Sequence, residues 1–424
     1  MTEERALART LASIIGTDHV SEQPELSIDG LNPGLVARPA SAEEVLACMR
    51  VCSESDAAVV PAGQMTWLEC GNPLRRIDVV LSLDRMERII EYSPPDLTAT
   101  VEAGVTLSAF NSLAVLQRQW LPLDPPGFGR ASLGAVAACN SSGAFRLGFG
   151  APRDYIIGLR LVHADGTESK SGGKVVKNVA GYDMNKLYAG SYGTLAIITE
   201  LTFKLRPLPD HSSTILITSQ NREALFDLAK RVLVSELQPA SVVLTRRLSD
   251  SPESSWPDDG LLIRVTDSEA SVEHQVNWVL QSLDENYKGI VLREEQADDA
   301  WRHIAHFDSQ AIRVRLSVPL SAVQSEFEKA FRAHPDCAAT VDIGTGIIRI
   351  SFDAEGGSAV DQIKRIRASA AGAIGTLTIE KAPVEVRRSA DAWGKVGSTV
   401  EIMRAIKTRF DRQSLLNPGK FGWD

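Results

Sequence analysis

The chain lacks the cysteine spacing of a metal cluster. Its five cysteines, Cys48, Cys52, Cys70, Cys139 and Cys337, form no Cys-x-x-Cys pair, the spacing on which zinc and iron–sulfur sites are built. No metal site is expected. The count is odd and the spacing irregular, which fits a reducing cytoplasm better than a disulfide framework. Positive charge is also scarce. Lys and Arg number 45 against 54 Asp and Glu, a net charge of -9. Basic runs are short, such as Arg246-Arg247 and Arg387-Arg388. A nucleic-acid binder needs a basic stripe to neutralise phosphates, so that partner class is set aside. An acidic chain also exerts no long-range pull on a small anion; any such pull must come from local groups. Apolar runs of about 18 residues are missing, so no transmembrane segment is expected. The opening MTEERALARTLASIIG lacks the long apolar core of a signal peptide. Both common nucleotide loops are absent too. No Gly-x-Gly-x-x-Gly links a strand to a helix with an acidic residue beyond, and no Gly-x-x-x-x-Gly-Lys-Ser/Thr occurs.

What is present is an ordinary globular composition, 44% hydrophobic and 23% charged over 424 residues, enough for two or three domains. A helix and a Pro/Gly-rich lead-in read over 1–35. The next helix starts near Ser41, where Ser41-Ala-Glu-Glu44 has capping-box form, and Val45, Cys48, Met49 and Cys52 make one apolar face. Cys48 and Cys52 read there as half-buried packing residues. A strand at 57–60 leads into the loop Pro61–Trp67. Strands are expected at 78–83, 98–102, 158–163 and 195–205, with a helix at 106–117 and a hairpin turn at Ala164-Asp165-Gly166. Pro207-Leu-Pro209 then breaks the pattern. Residues 212–380 repeat one order twice: strand, helix, strand, strand, helix, strand. That is the ferredoxin-like arrangement, with a helical link at 297–308. A last helix at 398–412 ends at Leu416-Asn417-Pro418-Gly419.

Chemistry concentrates in 126–206. Arg130-Ala-Ser-Leu-Gly-Ala135, Cys139-Asn-Ser-Ser-Gly143 and Gly190-Ser-Tyr-Gly-Thr-Leu-Ala-Ile-Ile-Thr-Glu200 are three small-residue loops in one region. Small residues let backbone N–H groups approach a bulky anion, and a nest of such groups holds a diphosphate without a basic side chain. Ser132, opening a short apolar helix, adds the field of a helix terminus. Each loop alone also reads as a tight turn in a β-rich domain; together they favour a nucleotide site.

The run Gly172-Gly-Lys-Val-Val-Lys-Asn-Val-Ala-Gly-Tyr-Asp-Met-Asn-Lys-Leu187, followed by Gly190-Ser-Tyr-Gly-Thr-Leu195, resembles the segment that marks glycolate oxidase FAD-binding subunits. These belong to the vanillyl-alcohol oxidase-type family. The wider family has Glu where Tyr192 stands, and an aromatic there looks like the E-type branch of these subunits. The ending Leu416-Asn-Pro-Gly-Lys420 is similar to the family's usual ending.

The resemblance implies an α+β fold with a two-part PCMH-type FAD-binding domain over 1–210. A cap of two ferredoxin-like units follows over 211–380, and a C-terminal segment, 381–424, returns to the FAD domain. It implies FAD with its diphosphate on Pro61, Ala62, Gly63, Gln64, Met65 and Thr66. Pro126, Ser132, Leu133, Gly134, Asn140, Ser141, Ser142 and Gly143 would line flavin and diphosphate, with Gly193, Thr194 and Ile198 completing the site. It further implies a D-2-hydroxyacid oxidase or dehydrogenase, glycolate first among its substrates, working with a sister FAD subunit and an iron–sulfur subunit. Through those partners the chain would reach a membrane surface peripherally.

The departures carry information. Relatives place Gly-Gly-Gly-Thr where Gly63-Gln-Met-Thr66 stands, so Gln64 and Met65 add bulk. The seven histidines, His19, His163, His211, His274, His303, His306 and His334, avoid the cofactor loops, and Cys139 reads as a packing residue beside the flavin. Non-covalent FAD is therefore expected. A His-rich motif of the sister subunit corresponds here to Asp342-Ile-Gly-Thr-Gly-Ile-Ile-Arg349, which has no histidine. His303 and His306 read as a solvated face. Lys174, Lys177 and Lys186 read as partners of a substrate carboxylate or of Asp183, and Arg153 as a loop brace or a partner of Asp154. Tyr182 reads as stacked near the flavin or packed, and Lys420 as a surface residue or one reaching the FAD edge. Catalytic residues are not evident. Two alternatives stand beside the leading one: a subunit that keeps the fold without redox work, and a stand-alone FAD-dependent alcohol oxidase.

Overall fold

The computed structural model describes residues 2–127, 129–174, 182–247, 256–306, 310–394 and 397–422. Lys177 and the rest of 175–181 in the marker segment lie outside these. The chain divides into two compact units. One comprises 1–142, 151–208 and 395–424; the other comprises 143–150 and 209–394.

The first unit is itself two-part, built on two main sheets. A four-stranded sheet runs Val20–Ser21, Leu35–Ala37, Val79–Ser82, Val59–Ala62, and the last three strands are parallel. The helix Ala42–Glu54 connects two of them. Ser41 Oγ accepts from Glu44 N at 3.2 Å and Glu44 Oε2 accepts from Ala40 N at 2.7 Å, so two orphan amides are satisfied reciprocally. Val45, Cys48, Met49 and Cys52 are fully buried, not half-buried. The helix is crossed by its own domain on that side, which the 3.6-residue period alone does not reveal. The second sheet is antiparallel, in the order Ile89–Ser93, Thr98–Glu102, Ile197–Lys204, Ile156–Val162, Glu168–Gly172.

The second unit is one eight-stranded antiparallel sheet. In its first half, strands His211–Ser219, Ser241–Arg246, Asp259–Asp267 and Tyr287–Val291 lie in the order fourth, first, third, second. In its second half, Ile312–Ser317, Ala338–Asp342, Ile347–Phe352 and Thr376–Lys381 lie second, third, first, fourth. The two ferredoxin-like halves join through their second strands, with Val243 opposite Asp342. Helices 222–234, 269–281, 323–333 and 356–372 bury one sheet face in a single apolar core. The linking helix Glu294–His306 covers part of the other face, burying Ala300 and Trp301 on Leu216, Val243 and Leu262. The unit runs on through Gly394, because the helix Val384–Ala390 buries Val386 and Ala390 in the same core.

Candidate cofactor site

The first unit contains an open cleft with a lining of mostly small and apolar residues. Four segments distant in sequence build it. The strand Val59–Ala62 delivers the loop that follows it; the helix Leu133–Cys139 presents one side; the loop 192–198 and the C-terminal 417–420 complete it.

Gly63 sits against the start of that helix. A Cβ at Gly63 would lie 2.0 Å from Ser132 Oγ, so no other residue fits without displacing the pair. Ser132 is the helix N-cap and accepts from Ala135 N at 3.3 Å. Gly134 is equally tight, since its Cβ would lie 2.8 Å from Ala103 Cβ and 2.9 Å from Ala103 O. Gly134, Ala135, Ala138 and Cys139 share the cleft side of the helix, while Leu133, Val136 and Ala137 are buried on its other side. Among the described residues, no acceptor meets the backbone N–H groups of Gly63 to Leu68. A row of free amides beside walls of Gly and Ala suits a diphosphate carried by a flat, bulky group. On that observation the residues fit FAD.

Of the residues singled out from sequence, Pro61, Ala62, Gly63, Met65, Thr66, Ser132, Gly134, Gly193 and Ile198 line this cleft. The others stand elsewhere. Gln64 is exposed; its side chain adds no bulk inside. Met65 has φ +55° and packs partly on the core of Ile28, Val36 and Val80. Pro126 is half-buried away from the cleft. Leu133 is core, and Thr194 is buried, donating from Oγ1 to Ser191 O at 2.7 Å. Asn140 closes the helix with φ +47° and accepts from Arg153 N at 3.0 Å. Ser141 donates its N–H to Val136 O, and Ser142 is buried. Gly143 belongs to the second unit. The Asn140–Gly143 turn thus terminates a helix rather than facing the cleft, the work small residues with positive φ commonly do.

Sequence reasoning passed over Trp67, Leu68, Leu83, Ala103, Ala135, Ala138, Tyr192, Ala196, Ile197 and Asn417 as lining residues. The helical spacing of Gly134, Ala135, Ala138 and Cys139 was a readable signal. The surface reading of Lys420 is corrected: it is buried at the cleft, donating from Nζ to Asp29 Oδ2 at 3.0 Å and Leu68 O at 2.6 Å. Nothing local to Lys420 announces a partner 391 positions away. Tyr182 is exposed rather than packed within the chain. Lys174 pairs with Glu91, and Lys186 donates to Arg153 O. Arg153 braces through its backbone, while Asp154 accepts from Ala151 N. His303 is exposed and bonds to Asp299 O through Nδ1. The side chain of His306 lies outside the described residues. Cys139 lines the cleft with its thiol held well above the usual range, first by desolvation and then by Cys70, with Lys420 opposing. It stays protonated near neutrality and is a poor nucleophile.

Comparison with known proteins agrees with this geometry. Residues 33–172 match the family model described as an FAD binding domain. The chain is 27% identical over 422 residues to glycolate oxidase subunit GlcD of Bacillus subtilis, covering 92% of this chain and 88% of that one. It is 32% identical over 186 residues to glycolate oxidase subunit GlcE of Escherichia coli, covering 44% and 49%. Among solved structures, p-cresol methylhydroxylase superposes with a TM-score of 0.75 at 14% identity, covering 100% of this chain and 97% of that one, a likeness of fold. The fold is α+β, the cofactor is FAD, and the chain is an FAD-dependent oxidoreductase.

Proposed function

We propose that this chain is the FAD-binding subunit of a cytoplasmic complex that oxidises a small D-2-hydroxy acid, glycolate first, to its 2-oxo acid. The complex would pass electrons onward through a sister FAD subunit and an iron–sulfur subunit. The observation that carries the reading is the run of free amides from Gly63 to Leu68 beside the tight Gly63–Ser132 contact, inside a segment that matches an FAD-binding domain. FAD, when bound, supplies the two-electron acceptor. The chain's own residues do the rest: the 63–68 amides would hold the diphosphate, and Gly134, Ala135 and Ala138 would let a flat ring approach the helix.

Similarity over 92% of the chain to a subunit named GlcD supports the glycolate oxidase assignment. Tyr192 at the cleft and a 342–349 turn without histidine favour the E-type branch. The protonated Cys139 thiol supports non-covalent FAD. Among the described residues no helix is long and apolar enough to cross a membrane. The test is the absorption spectrum of the chain purified with its partners, before and after acid precipitation. Flavin released into the supernatant is the expected result. Flavin retained in the pellet overturns the non-covalent reading, and its absence from the chain overturns the cofactor role.

A second reading, a subunit that keeps the fold without redox work, is favoured by Met65, whose bulky side chain lines the cleft. Reconstituting the complex with Gly134→Val separates the two. The first reading expects turnover to fall with this subunit's FAD; full turnover without it supports the second.

A further inference from the structure

The second unit holds a cavity of about 350 Å³ that the proposed reaction does not use. Its walls are the helices Val323–Ala333 and Gly356–Gly372, with His334 at one end. On each helix the lining positions fall at i, i+3, i+4 and i+7, counted from Glu326 and from Gln362, so one stripe of each helix faces the gap. Packed helices usually fill such a seam with large apolar side chains. Here the first helix offers Ala330 and Ala333 instead, and the space is left open by residue size. It is many times the roughly 30 Å³ that one water occupies.

The polar groups around it are unequally satisfied. Glu326 is buried, and its carboxylate accepts from Lys329 Nζ at 2.6 Å and from Ser369 Oγ at 2.7 Å. Arg365, on the facing helix, makes no ion pair or hydrogen bond among the described residues, Asp361 one turn earlier included. Two cations and one carboxylate therefore line a cavity in a chain whose net charge is -9. Gln362 donates from Nε2 to Ser358 Oγ at 3.0 Å, while its Oε1 is buried without a donor, a cost that a donor brought to it would remove. The His334 ring stacks on Phe352 with centroids 4.6 Å apart, which leaves the cavity its other face. Burial holds the His334 pKa below its ordinary value, so the ring is neutral at physiological pH.

We propose that this cavity binds a mononucleotide-type anion, a phosphate monoester joined to a flat ring that bears an N–H donor. Arg365, with Lys329 on the opposite wall, anchors the phosphate, because guanidinium and phosphate pair through two parallel hydrogen bonds. The ring lies on His334, as bases lie on aromatic side chains, and donates to Gln362 Oε1 once that half-buried amide turns toward it. A bare anion would use neither the amide nor the ring and would leave most of the space empty. The cavity lies wholly in the second unit and the cofactor cleft in the first, so this site does not rest on the proposed reaction.

The experiment is isothermal titration calorimetry on the full-length chain with FAD at full occupancy, which closes the cofactor cleft to the probes. AMP, GMP and UMP are the probes; adenosine lacks the anion, and inorganic phosphate lacks the ring. A mononucleotide is expected to bind more tightly than both controls. Arg365→Gln should weaken it about tenfold, the loss of one charge-assisted pair. Ala333→Leu, at an exposed position on the cavity wall, should abolish binding by filling the space. Arg365 has no partner within the chain to lose, so Arg365→Gln should melt with the parent, and its binding loss cannot be a folding loss. No heat from any of the three mononucleotides, or equal affinity in parent and Arg365→Gln, overturns the site. Phosphate binding as tightly as the mononucleotide means an adventitious ion only, and adenosine binding as tightly removes the anionic anchor; either result overturns the assignment. Flavin absorbance and turnover with the partners should be unchanged in both variants, so failure here and failure of the proposed reaction are distinguishable.

Discussion

At the scale of single residues, the cofactor loop depends on two atoms that cannot coexist with one more carbon. Gly63→Ala would place a methyl 2.0 Å from Ser132 Oγ, far inside contact distance. Either the loop or the helix start must move, and both carry the cleft. FAD affinity is expected to fall at least tenfold, measured by fluorescence titration of the apo-protein. The same substitution in a Ser132→Gly background should regain most of it, because the clashing hydroxymethyl is gone. A double variant no better than Gly63→Ala would place the effect elsewhere. This constraint was half legible in sequence. Gly63 stood out as a small residue after a strand and Ser132 as a helix start, but that they touch is a fact of the fold. Met65 shows the converse. Its bulk was visible, whereas its φ of +55° and its packing on the Ile28 core were not, so the side chain has a structural use as well as a cost.

At the scale of elements, the periodic patterns were the most readable part of the chain. Both ferredoxin-like halves emerged strand by strand, because alternation and helical spacing report which face is buried. The pairing of the halves through Ser241–Arg246 and Ala338–Asp342 was not legible, since no local signal specifies which edge meets which. Depth of burial escaped too, and it has a consequence in the helix Ala42–Glu54. Cys48 and Cys52 are both pushed up to about 12, first by desolvation, from a usual value of 9.0. A thiol whose folded pKa is raised favours its neutral form. Above pH 9 the unfolded chain releases protons that the folded chain keeps, so stability is intact below pH 9 and falls as pH rises toward 12. The slope is up to about 1.4 kcal/mol per pH unit for each thiol. Urea midpoints at about pH 8 and about pH 10.5, on either side of the unfolded thiol range, should therefore separate in the parent more than in a Cys48→Ala/Cys52→Ala variant. Equal separation would mean other groups govern the alkaline limb.

At the scale of the whole chain, the decisive contacts within the first unit join segments hundreds of positions apart. Lys407 is buried and donates from Nζ to Thr194 O at 2.9 Å, Leu416 O at 2.9 Å and Asp411 Oδ2 at 2.6 Å. Asp411 in turn accepts from Leu415 N and Leu416 N at 2.9 and 2.8 Å. Beyond this clamp the chain pairs with the first loop's strand, Val59 N donating to Leu415 O and Asn417 N to Val59 O. Asn417 Nδ2 then reaches Tyr192 O at 2.7 Å. The ammonium thus saturates three acceptors and fixes the C-terminal segment that brings Asn417 and Lys420 to the cleft. The sequence marked Leu416-Asn-Pro-Gly-Lys420 as an ending with meaning, but a lysine within an amphipathic helix reads as a solvated residue, and its burial arises from tertiary packing alone. Lys407→Met removes the charge while keeping the volume. It leaves the Asp411 carboxylate buried without its cation, a loss of about 3–5 kcal/mol for such pairs. Urea denaturation should show that drop. Flavin release should precede global unfolding in the variant, because Asn417 and Lys420 lose their tether before the sheets do. A variant within about 1 kcal/mol of the parent, with flavin and fold lost together, would show that the clamp is ornamental and that the strand pairing at Val59 holds the segment by itself.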